Sequence, residues 1–227
     1  MENVDEENTY DLSLKPGFLM QVIGPSSCGK TSLILKICSS NLLSPKPDFT
    51  VYFYKEYNPC FENYPDILFV DGFDPKYISK DFLKKFNSSL AIFDDLLDDL
   101  KDSPVLGNVA TRLCHHRNLS AIIVQQNCFP KNFKASTDVS RNATYKIIFR
   151  SNSDKLQILN LGRVICPGKA KFWSKVVDEC LQKAHDHIML DFHKDQDQKL
   201  MIRNSVFPET GTVCYIPFDK DHQIKEL

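Results

Sequence analysis

Residues 24–31 read Gly-Pro-Ser-Ser-Cys-Gly-Lys-Thr, which matches the phosphate-loop pattern Gly-x-x-x-x-Gly-Lys-Thr in full. Glycines in such a loop let the backbone curl so that successive N–H groups point at phosphate oxygens. An apolar run at residues 18–23 precedes the loop, and apolar residues at helical spacing follow it at residues 31–40. Because the binding mechanism needs strand, loop and helix in this order, we predict a nucleotide-binding loop and not a chance glycine-rich turn.

Individual roles follow from the chemistry of the pattern. Lys30 is predicted to reach the β- and γ-phosphates of ATP, and the Thr31 hydroxyl is predicted to be a Mg²⁺ ligand. The predicted cofactors are therefore ATP and Mg²⁺. The predicted nucleotide-binding residues are Gly24, Pro25, Ser26, Ser27, Cys28, Gly29, Lys30, Thr31 and Ser32.

Two acidic residues follow a second apolar run. Residues 89–93 read as a buried strand, and Asp94 and Asp95 come directly after it. We predict that Asp94 holds the metal and its water shell and that Asp95 polarises the attacking water. Since acidic residues also cap strands with no catalytic role, the assignment depends on the phosphate loop upstream. A third run, residues 120–124, leads to Gln126, which is predicted to sense the γ-phosphate; a glutamine that only caps the loop is the alternative.

Strand-like and helix-like segments alternate along the chain. Strands are predicted at residues 18–23, 50–56, 67–71, 89–93, 120–124 and 145–149, and helices at 31–40, 75–86, 105–116 and 154–161. This alternation predicts an α/β fold with a mainly parallel sheet flanked by helices. Beyond Pro167-Gly168, a helix at 170–184 and strands at 188–192 and 200–206 predict a small extension ending in a hairpin or edge strands. The predicted division is an acidic N-terminal segment (1–15), a P-loop ATPase core (16–165) and a C-terminal extension (166–227).

Composition narrows the class of protein. The 227 residues are 42% hydrophobic and 25% charged, as in ordinary globular domains, and the net charge is −1. No global basic field indicates nucleic acid, although a local basic surface is enough to bind it. The eight cysteines form no Cys-x-x-Cys pair, which favours free thiols in a reducing compartment. The acidic N-terminus and the lack of an apolar run of about 18 residues predict an intracellular, soluble protein without a membrane span.

Several further segments carry a resemblance to a known family. Phe93-Asp94-Asp95, the run ending at Gln126-Asn127, and Ser140-Arg141-Asn142 with the strand after it resemble the FtsK/HerA superfamily of DNA-pumping ATPases. The short chain and the lead-in at residues 115–120 are similar to viral genome-packaging ATPases. Poxviruses, other large DNA viruses and Polinton-adintovirus elements encode such enzymes. The resemblance covers residues 16–165 well and 187–208 more loosely.

The resemblance implies a fold and an activity. The fold is a RecA-like sheet with an extra strand between the phosphate-loop strand and the acidic strand. The activity is ATP hydrolysis that moves double-stranded DNA into a preformed capsid through a homo-oligomeric ring. The implied partners are capsid or portal-vertex proteins, and the implied location is the host nucleus, a cytoplasmic virus factory or the virion. Lys30, Thr31, Asp94 and Gln126 match the family's positions, whereas Asp95 replaces the more common Glu.

A ring ATPase also implies an arginine supplied by the neighbouring subunit. Arg141 matches the family's position for this arginine, and Arg117 and Arg112 are the next candidates. Each of the three is alternatively a surface arginine or a DNA-backbone contact. The basic stretch 131–155 is either a phosphate-contacting surface or an ordinary solvated face. Two other functions remain open at this point. One is a nucleotide or small-molecule kinase, although no Arg-rich lid is visible; the other is a nucleotide-binding scaffold without turnover.

Overall fold

The computed structural model describes residues 10–100, 103–114, 119–127, 134–217 and 225–226. Its strands are β1 (Leu19–Ile23), β2 (Phe49–Tyr54), β3 (Leu68–Asp71), β4 (Ser89–Asp94), β5 (Leu119–Gln125), β6 (Tyr145–Phe149), β7 (His187–Asp191), β8 (Ile202–Arg203), β9 (Val213–Cys214) and β10 (Lys225–Glu226). Its α-helices are α1 (Lys30–Ser39), α2 (Lys80–Leu83), α3 (Val105–Asn108), α4 (Lys134–Asn142), α5 (Lys155–Ile165) and α6 (Ala170–Cys180). A π-helical turn, Val109–Leu113, continues α3, and short 3-10 turns lie at Pro59–Asn63, Pro75–Ile78, Gln198–Leu200 and Pro208–Thr210.

Ten strands of the described part form one sheet, in the order β10-β9-β8-β7-β6-β1-β5-β4-β2-β3. The strands from β6 to β3 run parallel. Strand β7 pairs antiparallel with β6, and β8 to β10 continue antiparallel. Strand β5 lies between β1 and β4, so the extra strand implied by the resemblance is present. The predicted α/β fold with a mainly parallel sheet is confirmed.

Helices cover both faces of the parallel part. On one face, Met20 and Val22 of β1 pack with Ile34 of α1. On the opposite face, Leu19 packs with Leu106 of α3 and Val109 of the π-helical turn. Burial on both faces explains why β1, β4 and β5 are nearly continuous apolar runs, which is typical of parallel strands.

The C-terminal part is joined to the sheet through its own core. Trp173 of α6 is fully buried and its Nε1 donates a hydrogen bond of 2.8 Å to the Ile158 carbonyl of α5. Arg203 of β8 and Asp191 of β7 form a buried ion pair of 3.0 Å, with side chains 1% and 2% exposed. Strand β6 lies before the predicted boundary at residue 166 and β7 lies after it, yet the two strands pair in one sheet. The sheet therefore does not mark the boundary, and the division stays a prediction.

Some predicted elements are shorter or broken. The helix predicted at 75–86 is a 3-10 turn followed by α2, because Ser79 has extended backbone and caps α2 by accepting from the Phe82 N–H. The strand predicted at 200–206 is reduced to β8. The helix predicted at 170–184 ends at Cys180, whereas α4 was not predicted as a helix. Residues 1–9 of the predicted acidic segment lie outside the described residues. Among the residues that the structure describes, no helix is long and apolar enough to cross a membrane.

Candidate nucleotide-binding site

The phosphate loop lies at the carboxyl edge of the parallel sheet, between the end of β1 and the start of α1. Two of its residues need to be glycine. A Cβ at Gly24 would lie 2.6 Å from the Phe149 Cβ of the neighbouring strand β6, and Gly29 has a left-handed φ of 101°. Gly29, the N-cap residue of α1, provides no side-chain hydrogen bond, and the helix begins directly at the loop.

Lys30 is folded back onto the loop. Its Nζ donates hydrogen bonds of 2.8 Å to the carbonyl oxygens of Gly24 and Pro25, and the side chain is buried. The ammonium group is therefore held over the loop. Cys28, inside the loop, has a thiol whose pKa is raised by burial, so it stays protonated at neutral pH.

Asp94, the last residue of β4, is held by two hydroxyl groups. The Tyr52 hydroxyl donates to Asp94 Oδ2 at 2.6 Å, and the Thr31 hydroxyl donates to the same oxygen at 3.3 Å. Burial raises the pKa of Asp94, the Asp95 charge raises it further, and the Tyr52 hydrogen bond opposes this. Burial and the Asp94 carboxylate also raise the pKa of Tyr52 far above its usual range, so the phenol remains a donor. A partly desolvated carboxylate of this kind is favourable for a cation.

Asp95 and Gln126 meet beside this centre. The Gln126 Nε2 donates to Asp95 Oδ2 at 3.2 Å. Asp95 has a φ of 54°, a left-handed conformation that is uncommon for a residue other than glycine but tolerated by aspartate. Backbone strain of this kind concentrates at functional sites. The turn after β4 therefore directs the Asp95 carboxylate toward the end of β5.

One cavity of about 760 Å³ contains these groups. Its lining includes Ser26, Ser27, Gly29, Lys30, Thr31, Ser32, Asp94, Asp95, Gln126 and His185. The Thr31 hydroxyl and the Asp94 carboxylate are hard oxygen donors beside a phosphate-binding loop, which is the donor set that Mg²⁺ prefers. Among the described residues no group of three or more His, Cys, Asp or Glu side chains is arranged to hold a metal ion.

Neither of the two predicted arginines that the structure describes lines this cavity. Arg141 is exposed on α4 and is absent from the cavity lining, and Arg112 is exposed in the π-helical turn. Arg117 lies outside the described residues. A role in a neighbouring subunit's site therefore stays a prediction.

Several described basic side chains of the stretch 131–155 have partners within the fold. Lys146 donates to the Ser140 hydroxyl, Arg150 donates to the Gln182 carbonyl, and Lys155 lies 3.5 Å from Asp178. Lys155 is nevertheless 64% exposed, and Arg141 is exposed as well. Lys131 lies outside the described residues. A phosphate-contacting role for this stretch stays a prediction.

Two residues at the site were not predicted from the sequence. Tyr52 sits on β2, and only the pairing of β2 with β4 brings its hydroxyl to Asp94. A tyrosine inside an apolar strand is a usable signal, since a buried hydroxyl normally has a partner. His185 comes from the turn after α6 and contacts the loop 157 residues earlier, for which no local signal exists.

Comparisons with known proteins define the fold. No protein-family model matches the chain, and no curated protein matches it either. The chain is similar in structure to the genome packaging NTPase B204 from Sulfolobus turreted icosahedral virus 2 in complex with ATP-gammaS. Identity is 18%, coverage 79% of this chain and 94% of that one, and TM-score 0.55.

The AMPPCP complex of the same protein matches at 16% identity, with coverage of 80% and 95% and a TM-score of 0.56. B204, the DNA-packaging ATPase from Sulfolobus turreted icosahedral virus, matches at 15% identity, with coverage of 81% and 96% and a TM-score of 0.50. These likenesses show a RecA-like P-loop fold, as predicted.

Proposed function

We propose that this protein is an ATP-hydrolysing translocase for double-stranded DNA, of the viral genome-packaging type. The observation that carries the proposal is the convergence of Lys30, the Thr31–Asp94 pair and the Asp95–Gln126 pair on one cavity. A phosphate-binding loop alone supports nucleotide binding. An oriented carboxylate beside the γ-phosphate position adds what hydrolysis needs.

The proposed reaction is in-line attack of water on the γ-phosphorus of ATP. The water oxygen forms a bond to phosphorus, the bond to the bridging oxygen breaks, and ADP and phosphate leave. The Asp95 carboxylate accepts the proton of the attacking water. Gln126 orients this carboxylate and the water, because its side chain is already hydrogen-bonded to Asp95 at 3.2 Å. Lys30 exchanges its bonds to the Gly24 and Pro25 carbonyls for the phosphate oxygens. Thr31 and Asp94 would hold Mg²⁺, which neutralises phosphate charge when bound.

An arginine from a neighbouring subunit completes the proposed site in a homo-oligomeric ring. Arg141 is the first candidate because it is exposed on α4 and lies outside its own subunit's cavity. An arginine in this position stabilises the charge that develops on the transferred phosphoryl group. Removing it slows hydrolysis in the assembled ring and leaves nucleotide binding by the single subunit unchanged.

DNA is the proposed substrate of the motor for two reasons. The resemblance of residues 93–95, 122–127 and 140–149 to DNA-pumping ATPases is one. The likeness of fold to two viral packaging NTPases is the other. We place the DNA contact on the basic stretch 131–155, in which Lys155 is 64% exposed, since a phosphate-tracking surface needs only a local excess of basic side chains. The packaging role carries with it a capsid or portal-vertex partner and a site of action where virions assemble.

Steady-state ATP hydrolysis with and without long duplex DNA tests this proposal. We expect duplex DNA to raise the rate several-fold, with a stimulation that weakens as salt increases. The Lys30→Ala variant is the control for contaminating activity. Hydrolysis that duplex DNA does not change, together with phosphate transfer to a small acceptor, would identify a kinase instead. Binding of ATP without turnover under every condition would identify a scaffold.

A further inference from the structure

The turn between α6 and β7 reaches the phosphate loop from the side opposite the acidic pair. Strand β1 has β5 on one side, toward Asp94 and Gln126, and β6 followed by β7 on the other. The turn is tied to the end of β6, because the Arg150 N–H donates to the Asp186 carbonyl and the Arg150 Nη1 donates to the Gln182 carbonyl. It therefore presents its residues to the loop from a fixed position.

His185 is the residue of this turn that contacts the loop. Its Nδ1 lies 2.9 Å from the Cys28 carbonyl oxygen, and its ring lines the nucleotide cavity. A carbonyl oxygen only accepts, so Nδ1 carries the proton and donates. The backbone of His185 has a left-handed φ of 71°, and a Cβ at Gly29 would lie 3.1 Å from His185 Nδ1. The close approach thus uses an unusual backbone at His185 and a glycine at position 29.

The contact controls the direction of one N–H group of the loop. In a trans peptide the carbonyl of one residue and the N–H of the next point in opposite directions. Holding the Cys28 carbonyl therefore directs the Gly29 N–H away from His185. On the other side, the Gly24 N–H donates to the Gln125 carbonyl at 3.1 Å. The loop is fixed at both ends, once from β5 and once from the C-terminal part of the chain.

We propose that His185 is a positioning residue that holds the phosphate loop ready for ATP and couples nucleotide affinity to the segment after α6. The inference rests on the proposed function in that ATP is taken as the ligand of the loop. It adds a regulatory consequence, since linkage is reciprocal: bound nucleotide steadies the turn, and anything that moves the turn weakens nucleotide binding. The C-terminal segment is then a part of the site and not an appendage to it.

Two substitutions separate the hydrogen bond from the backbone requirement. Glycine and asparagine both accept a left-handed φ, but only asparagine brings an N–H donor. We expect His185→Gly to raise the Kd of a non-hydrolysable ATP analogue with Mg²⁺ by about 2–10-fold, the value of one net hydrogen bond. His185→Asn is expected to stay within about twofold of wild type.

Calorimetric titration without DNA, together with amide hydrogen exchange of residues 181–187, measures the effect. The analogue is expected to slow exchange in the turn of wild type and of His185→Asn but not of His185→Gly. His193→Ala, in the same segment but outside the cavity lining, is the matched control and is expected to bind normally. Equal Kd values for wild type and His185→Gly, or equal losses in both variants, would overturn the inference. A wild type that binds no analogue would instead refute the proposed ATPase.

Discussion

Replacing Tyr52 by phenylalanine removes one hydroxyl group from the candidate metal centre and little else. The Tyr52 ring is fully buried, and its centroid lies 5.3 Å from that of Phe61 and 5.4 Å from that of Phe69. A phenylalanine at position 52 retains both ring contacts. The lost group is the donor of the 2.6 Å hydrogen bond to Asp94 Oδ2. After the substitution only the longer bond from Thr31 remains on that oxygen within the described structure.

The size of the effect follows from the charge of the acceptor. A hydrogen bond to an ionised group contributes about 1.5–3 kcal/mol, so the free energy of unfolding at pH 7 is expected to fall by about that amount. In a chain of this size each kcal/mol moves Tm by about 2–4 °C. Residues that orient a metal-holding group typically contribute 10–100-fold in metal affinity or activity. We therefore expect kcat/KM for Mg·ATP to fall by about 10–100-fold.

The pH profile provides a signature that a simple loss of stability does not. The Tyr52 hydrogen bond lowers the pKa of Asp94, which burial has raised, so its removal moves that pKa further up. Since the ionised carboxylate is the form that holds the cation, the acid limb of the kcat/KM profile is expected to shift to higher pH.

The matched control is Tyr54→Phe. Tyr54 lies on the same strand and packs on Phe61, and its hydroxyl has no hydrogen-bond partner in the described part of the chain. A Tyr52→Phe variant with a wild-type pH profile and kcat/KM would refute the reasoning.

Gly162→Ala places a Cβ 2.2 Å from Trp173 Cδ1, so the free energy of unfolding in urea titrations is expected to fall by about 1–3 kcal/mol. At Gly107 the nearest atom to an added Cβ is 3.9 Å away, so Gly107→Ala is expected to be neutral or slightly stabilising. Burial lowers the pKa of His187, so stability is expected to fall as pH drops below about 6.5, and His187→Phe is expected to flatten that part of the thermal-melt profile. Burial raises the pKa of Asp94, so the ionisation of this carboxyl opposes folding as pH rises. We expect Asp94→Asn to raise Tm at pH 7 without nucleotide, by about 2–4 °C for each kcal/mol of unfolding free energy gained. The same substitution is expected to abolish hydrolysis. Equal urea midpoints for the two glycine variants, a pH slope unchanged by His187→Phe, or a lower Tm for Asp94→Asn would each contradict the corresponding argument.

Much of the fold was predictable because its signals are local. The glycine pattern at residues 24–31 lies between an apolar run and a helical pattern, and both flanking elements form at or within one residue of the predicted positions. Strands β4 and β5 are buried on both faces, so each is a short apolar run followed by polar residues. Since parallel strands end at one edge, Asp94, Asp95 and Gln126 were expected to meet the loop there.

The remaining features depend on contacts between distant residues. Tyr52 reaches Asp94 only because β2 lies beside β4, and nothing in the sequence of β2 specifies that neighbour. His185 reaches Cys28 because α6 ends four residues before the predicted end, at Cys180, which leaves a turn at the mouth of the cavity. Helix α4 is rich in polar residues, and its Ser and Thr have a weak helix preference, so its sequence carries little signal for a helix.

The central claim is that residues 24–31 and the acidic pair form a hydrolytic site for Mg·ATP. Single-turnover hydrolysis of ATP by wild type, Lys30→Ala and Asp95→Asn, with nucleotide binding measured in parallel, tests it most directly. We expect Asp95→Asn to bind Mg·ATP about as tightly as wild type but to hydrolyse it about 10²–10⁴-fold more slowly, the usual contribution of a general base. Lys30→Ala is expected to lose both binding and hydrolysis. A wild type that hydrolyses ATP no faster than Lys30→Ala would contradict the claim.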